Sequence, residues 1–249
     1  FYPVPDADTG TNLASTMHSI VSTVQPQENV KETALALADA ALMGARGNSG
    51  IIFAQFLYGF SKDIREQHTM NIREFAEYMR NASECAYYAL AKPKEGTIIT
   101  VIKDWSNYLT EACETADDLT TLLLNALTVA MESLKGTGKF IAAKAKTIVD
   151  AGAKGFVVFL EGMCEYFHSG EQSVNVANAE VIDSEWMGED NHEDITFRYC
   201  TEALLIGDDL QKNKLSSLIE TMGDCLVIAG SNKKMRLHIH TDEPWIVLE

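Results

Sequence analysis

The chain has 249 residues, of which 46% are hydrophobic and 22% are charged, a composition typical of a soluble globular protein with one or two domains. Its formal net charge of −16 argues against nucleic acid or an anionic membrane surface as a partner, because like charges repel. No apolar run reaches the roughly 18–20 residues of a membrane span, and five widely spaced cysteines favour a reducing cytoplasm over a disulfide framework.

The chain begins at Phe1 with neither a basic leader nor an initiator Met. A secretory signal peptide would open with positively charged residues before an apolar stretch. We therefore expect a cytoplasmic protein, and we expect the sequence to be a fragment of a longer chain.

The first two-thirds of the chain carries helical periodicity. Apolar residues recur at helical spacing over residues 71–90 and 119–134, and a third helix is predicted over residues 153–167. The run Gly136-Thr137-Gly138 predicts the end of the second helix, because glycine interrupts helices. Strand-like alternation is scarce in this part of the sequence. We therefore predict a helical domain over residues 1–172.

The remaining sequence changes character twice. Residues 173–194 are polar and acidic and are predicted to form a linker or a surface excursion. A short helix is then predicted at residues 215–222. Alternation with a period of two predicts three strands, over residues 197–205, 225–229 and 235–240.

The order of these elements, β-α-β-β, indicates an α/β domain over residues 195–249 that is distinct from the helical part. Pro244 predicts the start of a further helix, since proline is favoured in a first turn. The chain stops soon afterwards at Glu249, so we expect this domain to be truncated.

The segment from Asp6 to Asn12 combines two carboxylates with small polar residues. Asp6 and Asp8 can both reach a hard cation such as Mg²⁺ if the backbone turns sharply, which Gly10 permits. Donors to phosphate oxygens are available from Thr9, Thr11 and Asn12, and a helix beginning near Thr11 would favour an anion. A polar turn that simply caps a helix explains the same residues equally well.

A glycine-rich segment follows, Gly44-Ala45-Arg46-Gly47-Asn48-Ser49-Gly50. Glycines let a backbone approach a ligand closely, and Ser49 can donate to a phosphate, but the Lys-Ser/Thr pair of a P-loop is missing. A plain connection between helices is the commoner explanation. Asp150-Ala151-Gly152-Ala153 precedes a helix and indicates by itself only a capping arrangement.

Cys200, His238 and His240 form the third constellation. The two histidines alternate on one predicted strand and therefore share a face. A thiolate and two imidazoles suit Zn²⁺, with water or a further ligand in the fourth position. The residues alone favour a simpler interpretation, in which a buried cysteine and two edge-strand histidines bind nothing.

Taken in order, these motifs resemble a known family. The segments 3–12 and 44–50 are similar to the first two signatures of the kinase domain shared by the ATP-binding component of bacterial fatty acid kinase and the ADP-binding component of dihydroxyacetone kinase. Residues 92–101 and 149–155 resemble the third and fourth signatures of the same kinase domain. Residues 199–202 and 238–244 resemble the middle domain of the fatty acid kinase component. The dihydroxyacetone kinase component lacks that domain.

The resemblance implies a multi-domain protein: an all-α helical barrel of about eight helices, followed by a zinc-binding α/β middle domain. It implies that ATP or ADP binds with two Mg²⁺ ions held by Asp6 and Asp8, and that a structural Zn²⁺ is held by Cys200, His238 and His240. The resemblance also implies the residues that surround the nucleotide and its phosphates, which are Thr9, Gly10, Thr11, Asn12, Gly47, Asn48, Ser49, Asp150 and Gly152.

The activity implied is transfer of the ATP γ-phosphoryl to a fatty acid carboxylate, which a separate fatty-acid-binding protein presents, giving an acyl phosphate. Arg46 is the candidate for stabilising the transferring phosphoryl. The family also suggests a homodimer, while the charge and hydropathy of the sequence predict neither nucleic acid binding nor membrane insertion. Three alternatives are a dihydroxyacetone-type small-molecule kinase, against which the middle domain argues, a non-catalytic nucleotide-sensing module, and a structural helical domain that binds no ligand.

Overall fold

The structure, a computed structural model, describes residues 8–141, 149–170 and 196–249. The first two ranges contain seven helices, and none of these described helices is long and apolar enough to cross a membrane. Their bounds are α1 (Thr9–Thr23), α2 (Val30–Gly44), α3 (Gly47–Lys62), α4 (Ile72–Tyr87), α5 (Ile98–Ala112), α6 (Leu119–Ile141) and α7 (Ala151–Ser169). The predicted all-α first domain is thereby confirmed.

Helix α4 shows how local sequence sets these elements. Asn71 accepts a hydrogen bond from the Glu74 amide, and the Glu74 side chain accepts one from the Asn71 amide, so a capping box fixes its start. Four of its five buried residues lie three or four positions apart, at Ala76, Met79, Ala82 and Ala86. The helix therefore presents one apolar face to its neighbours.

Helix α6 continues through Gly136, Thr137 and Gly138 to Ile141, so the predicted stop at these glycines is wrong. The reason is a tertiary contact. The Thr137 hydroxyl donates to the Leu134 carbonyl at 2.7 Å and accepts from the amide of Asp150 at 3.0 Å, and Thr137 is buried. Packing against the start of α7 therefore outweighs the low helix propensity of glycine, about 1 kcal/mol per residue.

The core of the helical part is aromatic. Phe56 and Phe156 pack edge to face with ring centroids 5.5 Å apart, and Trp105 lies 5.9 Å from Phe156 in the same arrangement. Such pairs contribute roughly 0.5–1.5 kcal/mol each beyond the area that they bury. These residues belong to α3, α5 and α7, so the core fixes the three helices relative to one another.

The third described range forms the predicted α/β unit. It consists of β1 (Tyr199–Ile206), α8 (Lys212–Ile219), β2 (Asp224–Gly230), β3 (Lys234–Thr241) and α9 (Pro244–Leu248). The three strands are antiparallel in the order β1-β3-β2, which confirms the β-α-β-β prediction. The predicted linker at residues 173–194 lies outside the described residues.

One face of the sheet packs on α8, and the other packs on the helical part. Leu237 and Ile239 share a cluster with Ile219 of α8, whereas Val227 and Ala229 belong to the helical core. The Gly230 amide donates to the buried side chain of Gln55 on α3 at 2.6 Å. The segment after α4 pairs with the outer edge of β2, through the Ala89 carbonyl and the Ile228 amide at 3.0 Å. The sheet is thus docked firmly enough to form one wall of a cleft.

Candidate functional site

A cleft of about 590 Å³ separates the sheet from one end of the helical part. Four helices, α1, α3, α5 and α7, begin at this cleft, and their first residues line it. Each helix start carries amide groups without intrahelical partners and roughly half a positive charge, although a carboxylate already accepts from one such amide in α3 and one in α7. Four of them together create a local anion-binding region in a chain whose formal net charge is −16.

Asp8 stands at the N-cap of α1, which begins at Thr9, two residues before Thr11. Its side chain is exposed and makes no capping hydrogen bond among the described residues, although its carbonyl accepts from the Asn12 amide at 2.8 Å. Asp8, Thr9 and Asn12 line the cleft; Gly10 and Thr11 are exposed on α1 and are not part of its lining. The carboxylate of Asp8 therefore remains available for a cation. Asp6 lies outside the described residues.

The glycine-rich segment is mostly helix. Because α2 ends at Gly44 and α3 begins at Gly47, the connection is only Ala45-Arg46. Gly47 has φ +59, and a Cβ there would lie 2.5 Å from Asn12 Nδ2. Glycine is thus needed both for the left-handed backbone and for the close approach of α1.

The first turn of α3 supplies polar atoms to the cleft. Gly47, Asn48 and Ser49 line it together with the exposed Arg46. The Asn48 side-chain oxygen is buried and has no hydrogen-bond partner among the described residues. An orphaned buried oxygen of this kind calls for a donor or a cation.

Asp150 caps α7 from inside the protein. Its Oδ1 accepts from the Ala153 amide at 2.7 Å, and only 6% of the residue is exposed. Burial raises the pKa of this carboxyl, and the hydrogen bond from Ala153 works against that rise. A Cβ at Gly152 would lie 2.6 Å from Ser49 Oγ, so glycine lets the starts of α3 and α7 meet.

These oxygens fit a magnesium site. The Asp8 carboxylate and the orphaned Asn48 oxygen are hard oxygen donors, the type that Mg²⁺ prefers, and both line the cleft beside the helix starts. Mg²⁺ commonly retains waters and binds through one or two carboxylates plus substrate phosphates, so few protein ligands are required.

Cys200, His238 and His240 meet on the opposite wall. Cys200 is paired with His240 across β1 and β3, and all three side chains line the cleft. His238 Nε2 lies 3.2 Å from His240 Nε2, and His238 Nδ1 lies 3.6 Å from Cys200 Sγ. The histidines are buried on the central strand while Cys200 is exposed on an edge strand, so the interpretation as a buried cysteine with edge-strand histidines is wrong in both respects.

The same three residues fit a zinc ion. One ligand atom from each lies within 4.8 Å of the others, and a tetrahedral ion with bonds of about 2.0–2.3 Å separates its ligand atoms by about 3.3–3.8 Å. Hydrogen bonds from His238 and His240 lower the pKa of Cys200 to about 7, which favours the thiolate that zinc requires. Burial lowers the pKa of His238, but hydrogen bonds to Cys200 and Glu202 raise it overall to about 9.

Glu202 connects the two walls, and the sequence patterns gave it no role. Its Oε1 accepts from the Gly47 amide at 2.7 Å and lies 3.3 Å from His238 Nδ1, while its Oε2 accepts from Arg236 at 3.1 Å. Burial raises the pKa of Glu202, but these hydrogen bonds outweigh it and lower the value to about 2. One signal was present in the sequence: Glu202 follows Cys200 by two residues and therefore shares its face of β1.

A second group of metal-ligating side chains shares His240. Asp224 Oδ1 lies 3.4 Å from His240 Nδ1, and Cys225 lies close to both residues. Cys225 has φ 56 and sits where the pairing of β2 with β3 is irregular. Burial raises the pKa of the Cys225 thiol to about 12, in contrast to the lowered pKa of Cys200.

Comparisons with known proteins divide the chain into the same two parts, the helical part followed by the α/β unit. Residues 3–165 match the family model of the DAK2 domain, and residues 196–249 match that of the middle domain of FakA-like fatty acid kinase proteins. Similar proteins include an uncharacterized protein of Staphylococcus epidermidis, 34% identical over 259 residues, and one of Staphylococcus aureus strain USA300, 33% identical over 258 residues. Each alignment covers 98% of this chain but 46% of the relative, so the chain spans about half the length of these relatives.

Proposed function

The chain belongs to the FakA-like fatty acid kinase family, in which a DAK2 domain precedes the middle domain, and on this premise we propose that it transfers the γ-phosphoryl of ATP to a fatty acid carboxylate. The acceptor is presented by a separate fatty-acid-binding protein, and the product is an acyl phosphate. We place the activity in the cytoplasm and in a homodimer.

The observation that carries the proposal is the meeting of four helix starts with the Asp8 carboxylate in one cleft. Helix starts attract anions, and a carboxylate attracts cations. A metal-bound polyphosphate presents both charges at once. Among the described residues the Asn48 oxygen is also buried without a hydrogen-bond partner in this cleft, and a bound cation or donor would satisfy it.

Each residue then has a role in holding the nucleotide. The amides at the starts of α1 and α3, apart from the Gly47 amide that donates to Glu202, join the side chains of Thr9 and Ser49 as donors to phosphate oxygens. Asp6, Asp8 and Asn48 supply oxygen ligands for Mg²⁺. When bound, Mg²⁺ would neutralise the charge that develops on the phosphates during transfer.

The transfer itself needs no base from this chain. A fatty acid carboxylate is already ionised near neutral pH, so one of its oxygens can attack the γ-phosphorus directly while the bond to the ADP oxygen breaks. The guanidinium of Arg46, exposed at the cleft, would stabilise the phosphoryl group as it moves. Zinc held by Cys200, His238 and His240 would tie β1 to β3 at the opposite wall.

The first test is the substitution Asp8→Asn. It keeps the size of the side chain but removes the charge that attracts Mg²⁺, so affinity for Mg-ATP should fall by about tenfold or more. Isothermal titration calorimetry with Mg-ATP measures this directly. Asp117→Asn is the matched control, because Asp117 is exposed and does not line the cleft.

Turnover is tested by adding a fatty acid and a fatty-acid-binding protein, and trapping the acyl phosphate with hydroxylamine. We expect hydroxamate to form only when ATP, Mg²⁺, fatty acid and the binding protein are all present. Equal Mg-ATP affinity in wild-type protein and Asp8→Asn would contradict the metal role. Tight nucleotide binding without turnover would favour a nucleotide-sensing module, and ATP consumption with dihydroxyacetone would favour a small-molecule kinase.

A further inference from the structure

The turn between α2 and α3 is held from both sides by side chains of the α/β unit. On one side, the Glu202 carboxylate accepts from the Gly47 amide at 2.7 Å. On the other, the Arg236 guanidinium donates to the Met43 carbonyl at 3.2 Å. Glu202 and Arg236 are themselves paired at 3.1 Å and are mostly buried, with side-chain exposures of 22% and 16%. Together they form a bracket around the connection Ala45-Arg46.

The same bracket is joined to the zinc site. The Glu202 oxygen that binds Gly47 also lies 3.3 Å from His238 Nδ1. A carboxylate at Nδ1 holds a proton there and leaves Nε2, which is 3.2 Å from His240 Nε2, free to bind a metal. A single carboxylate therefore contacts one zinc ligand and one amide of the phosphate-binding turn.

We propose that Glu202 is a positioning residue that couples metal binding by Cys200, His238 and His240 to the order of the α2–α3 turn, and through that turn to nucleotide affinity. The coupling to nucleotide rests on the proposed function. A bound metal fixes the His238 ring, the ring fixes Glu202, and Glu202 fixes the Gly47 amide. Without the metal, the ring and the carboxylate can turn away together, and the amide loses its partner.

Two other contacts between the described parts of the chain do not provide this link. Lys234 forms an ion pair with Asp39 of α2, and Gly230 donates to Gln55, but neither contact involves a zinc ligand or the turn. This difference supplies a matched control. Lys234→Ala removes a contact between the two units, whereas Glu202→Ala removes a contact together with the proposed link.

The test is amide hydrogen exchange over residues 44–50, measured by mass spectrometry in wild-type protein, Glu202→Ala and Lys234→Ala. Each is measured with saturating Zn²⁺ and after treatment with a chelator, and zinc content is determined by elemental analysis. In the wild type, chelation should accelerate exchange of the Gly47 amide by about ten- to hundredfold, the effect of losing one hydrogen bond to a charged group. Glu202→Ala should exchange rapidly with or without zinc, and Lys234→Ala should behave as the wild type.

Glu202→Gln separates positioning from mere packing. Its amide oxygen can still accept from Gly47 and His238, but its NH₂ group faces the Arg236 donor. We expect it to restore part of the zinc-dependent protection. If Glu202→Ala does not fold, amide exchange in the wild type and in Glu202→Gln, each with and without zinc, still tests the coupling between metal binding and the turn.

The coupling is overturned if exchange in the wild type does not depend on zinc, if Glu202→Ala keeps a zinc-dependent protection, or if the wild type binds no zinc. Calorimetry with Mg-ADP forms a separate arm, in which chelation should weaken binding about tenfold in the wild type and not in Glu202→Ala. Failure of all samples to bind Mg-ADP would reject the proposed function, while the exchange measurement would still judge the coupling of metal to turn.

Discussion

Five carboxylates line the cleft, and three of them, Asp8, Asp150 and Glu202, lie in different environments. Asp8 is exposed and makes no capping hydrogen bond among the described residues. Burial raises the pKa of Asp150, although one backbone amide binds its Oδ1. Burial acts on Glu202 as well, but three donors outweigh it and hold its pKa at about 2. The donors thus outweigh burial at Glu202, whereas burial outweighs the donors at Asp150, and this balance sets the direction of each pKa shift.

Asp150→Asn is expected to raise the free energy of unfolding at neutral pH. Asparagine keeps an oxygen that can cap α7 through the Ala153 amide, and it removes the cost of burying a charge. Because the folded pKa of Asp150 is raised, the cost is complete above that pKa and disappears below the ordinary value of 3.8. The advantage over the wild type should thus shrink as the pH falls, and urea unfolding at several pH values measures it.

Asp150→Ala provides the comparison. It removes both the charge and the cap, so it should lose about 1 kcal/mol relative to Asp150→Asn. A stability gap between the wild type and Asp150→Asn that widened as the pH fell would contradict the raised pKa.

At the scale of elements, periodicity was enough to predict α4, α6, α7, α8 and the three strands, but ends set by tertiary contacts could not be predicted. The capping box of α4 is local, and its start was predicted to within a residue. The extension of α6 past Gly136 depends on the bond between Thr137 and the Asp150 amide, thirteen residues along the chain. No local pattern reveals such a partner.

Gly136→Ala tests whether α6 is continuous. A Cβ at Gly136 would have nothing within 4 Å, so alanine gains helix propensity without a clash. The free energy of unfolding should rise by about 0.5–1 kcal/mol. Denaturant unfolding followed by circular dichroism gives the value.

Gly155→Ala is the control within α7. There a Cβ would lie 2.3 Å from Leu13 Cδ1, so the gain in propensity is offset by overpacking. It should therefore be less stable than Gly136→Ala. A loss of stability in Gly136→Ala would show that the backbone at this position is not helical in solution.

The candidate site shows the same division between local and distant information. Alternation along one strand was enough to predict that His238 and His240 share a face, as they do. The role of Glu202 could not be predicted, because its partner Gly47 lies 155 positions away in the sequence. Period and spacing identify residues with a common face, while contacts between the helical part and the sheet become visible only in the fold.

At the scale of the whole molecule, the charge of the chain opposes the ligand that its cleft attracts. Lys and Arg number 20 against 36 Asp and Glu, so the distant field repels an anionic nucleotide. The helix starts act only within about a turn of their ends. The local attraction should therefore dominate once the nucleotide is in the cleft, and the repulsion should dominate while it approaches.

This contrast predicts that salt accelerates nucleotide association. Raising the ionic strength from about 0.01 M to about 0.1 M shortens the screening length from about 30 Å to about 10 Å, which removes the distant repulsion before it weakens the contacts within the cleft. The association rate constant of a fluorescent ADP analogue with Mg²⁺, measured by stopped flow, should rise about twofold or more. Adenosine is uncharged, and its association can be followed by competition with the same analogue. The association rate constant of adenosine should therefore show little salt dependence. A rate constant for the nucleotide that falls with salt would mean that the positive groups of the cleft, Lys92 among them, already attract the ligand from a distance and override the net charge.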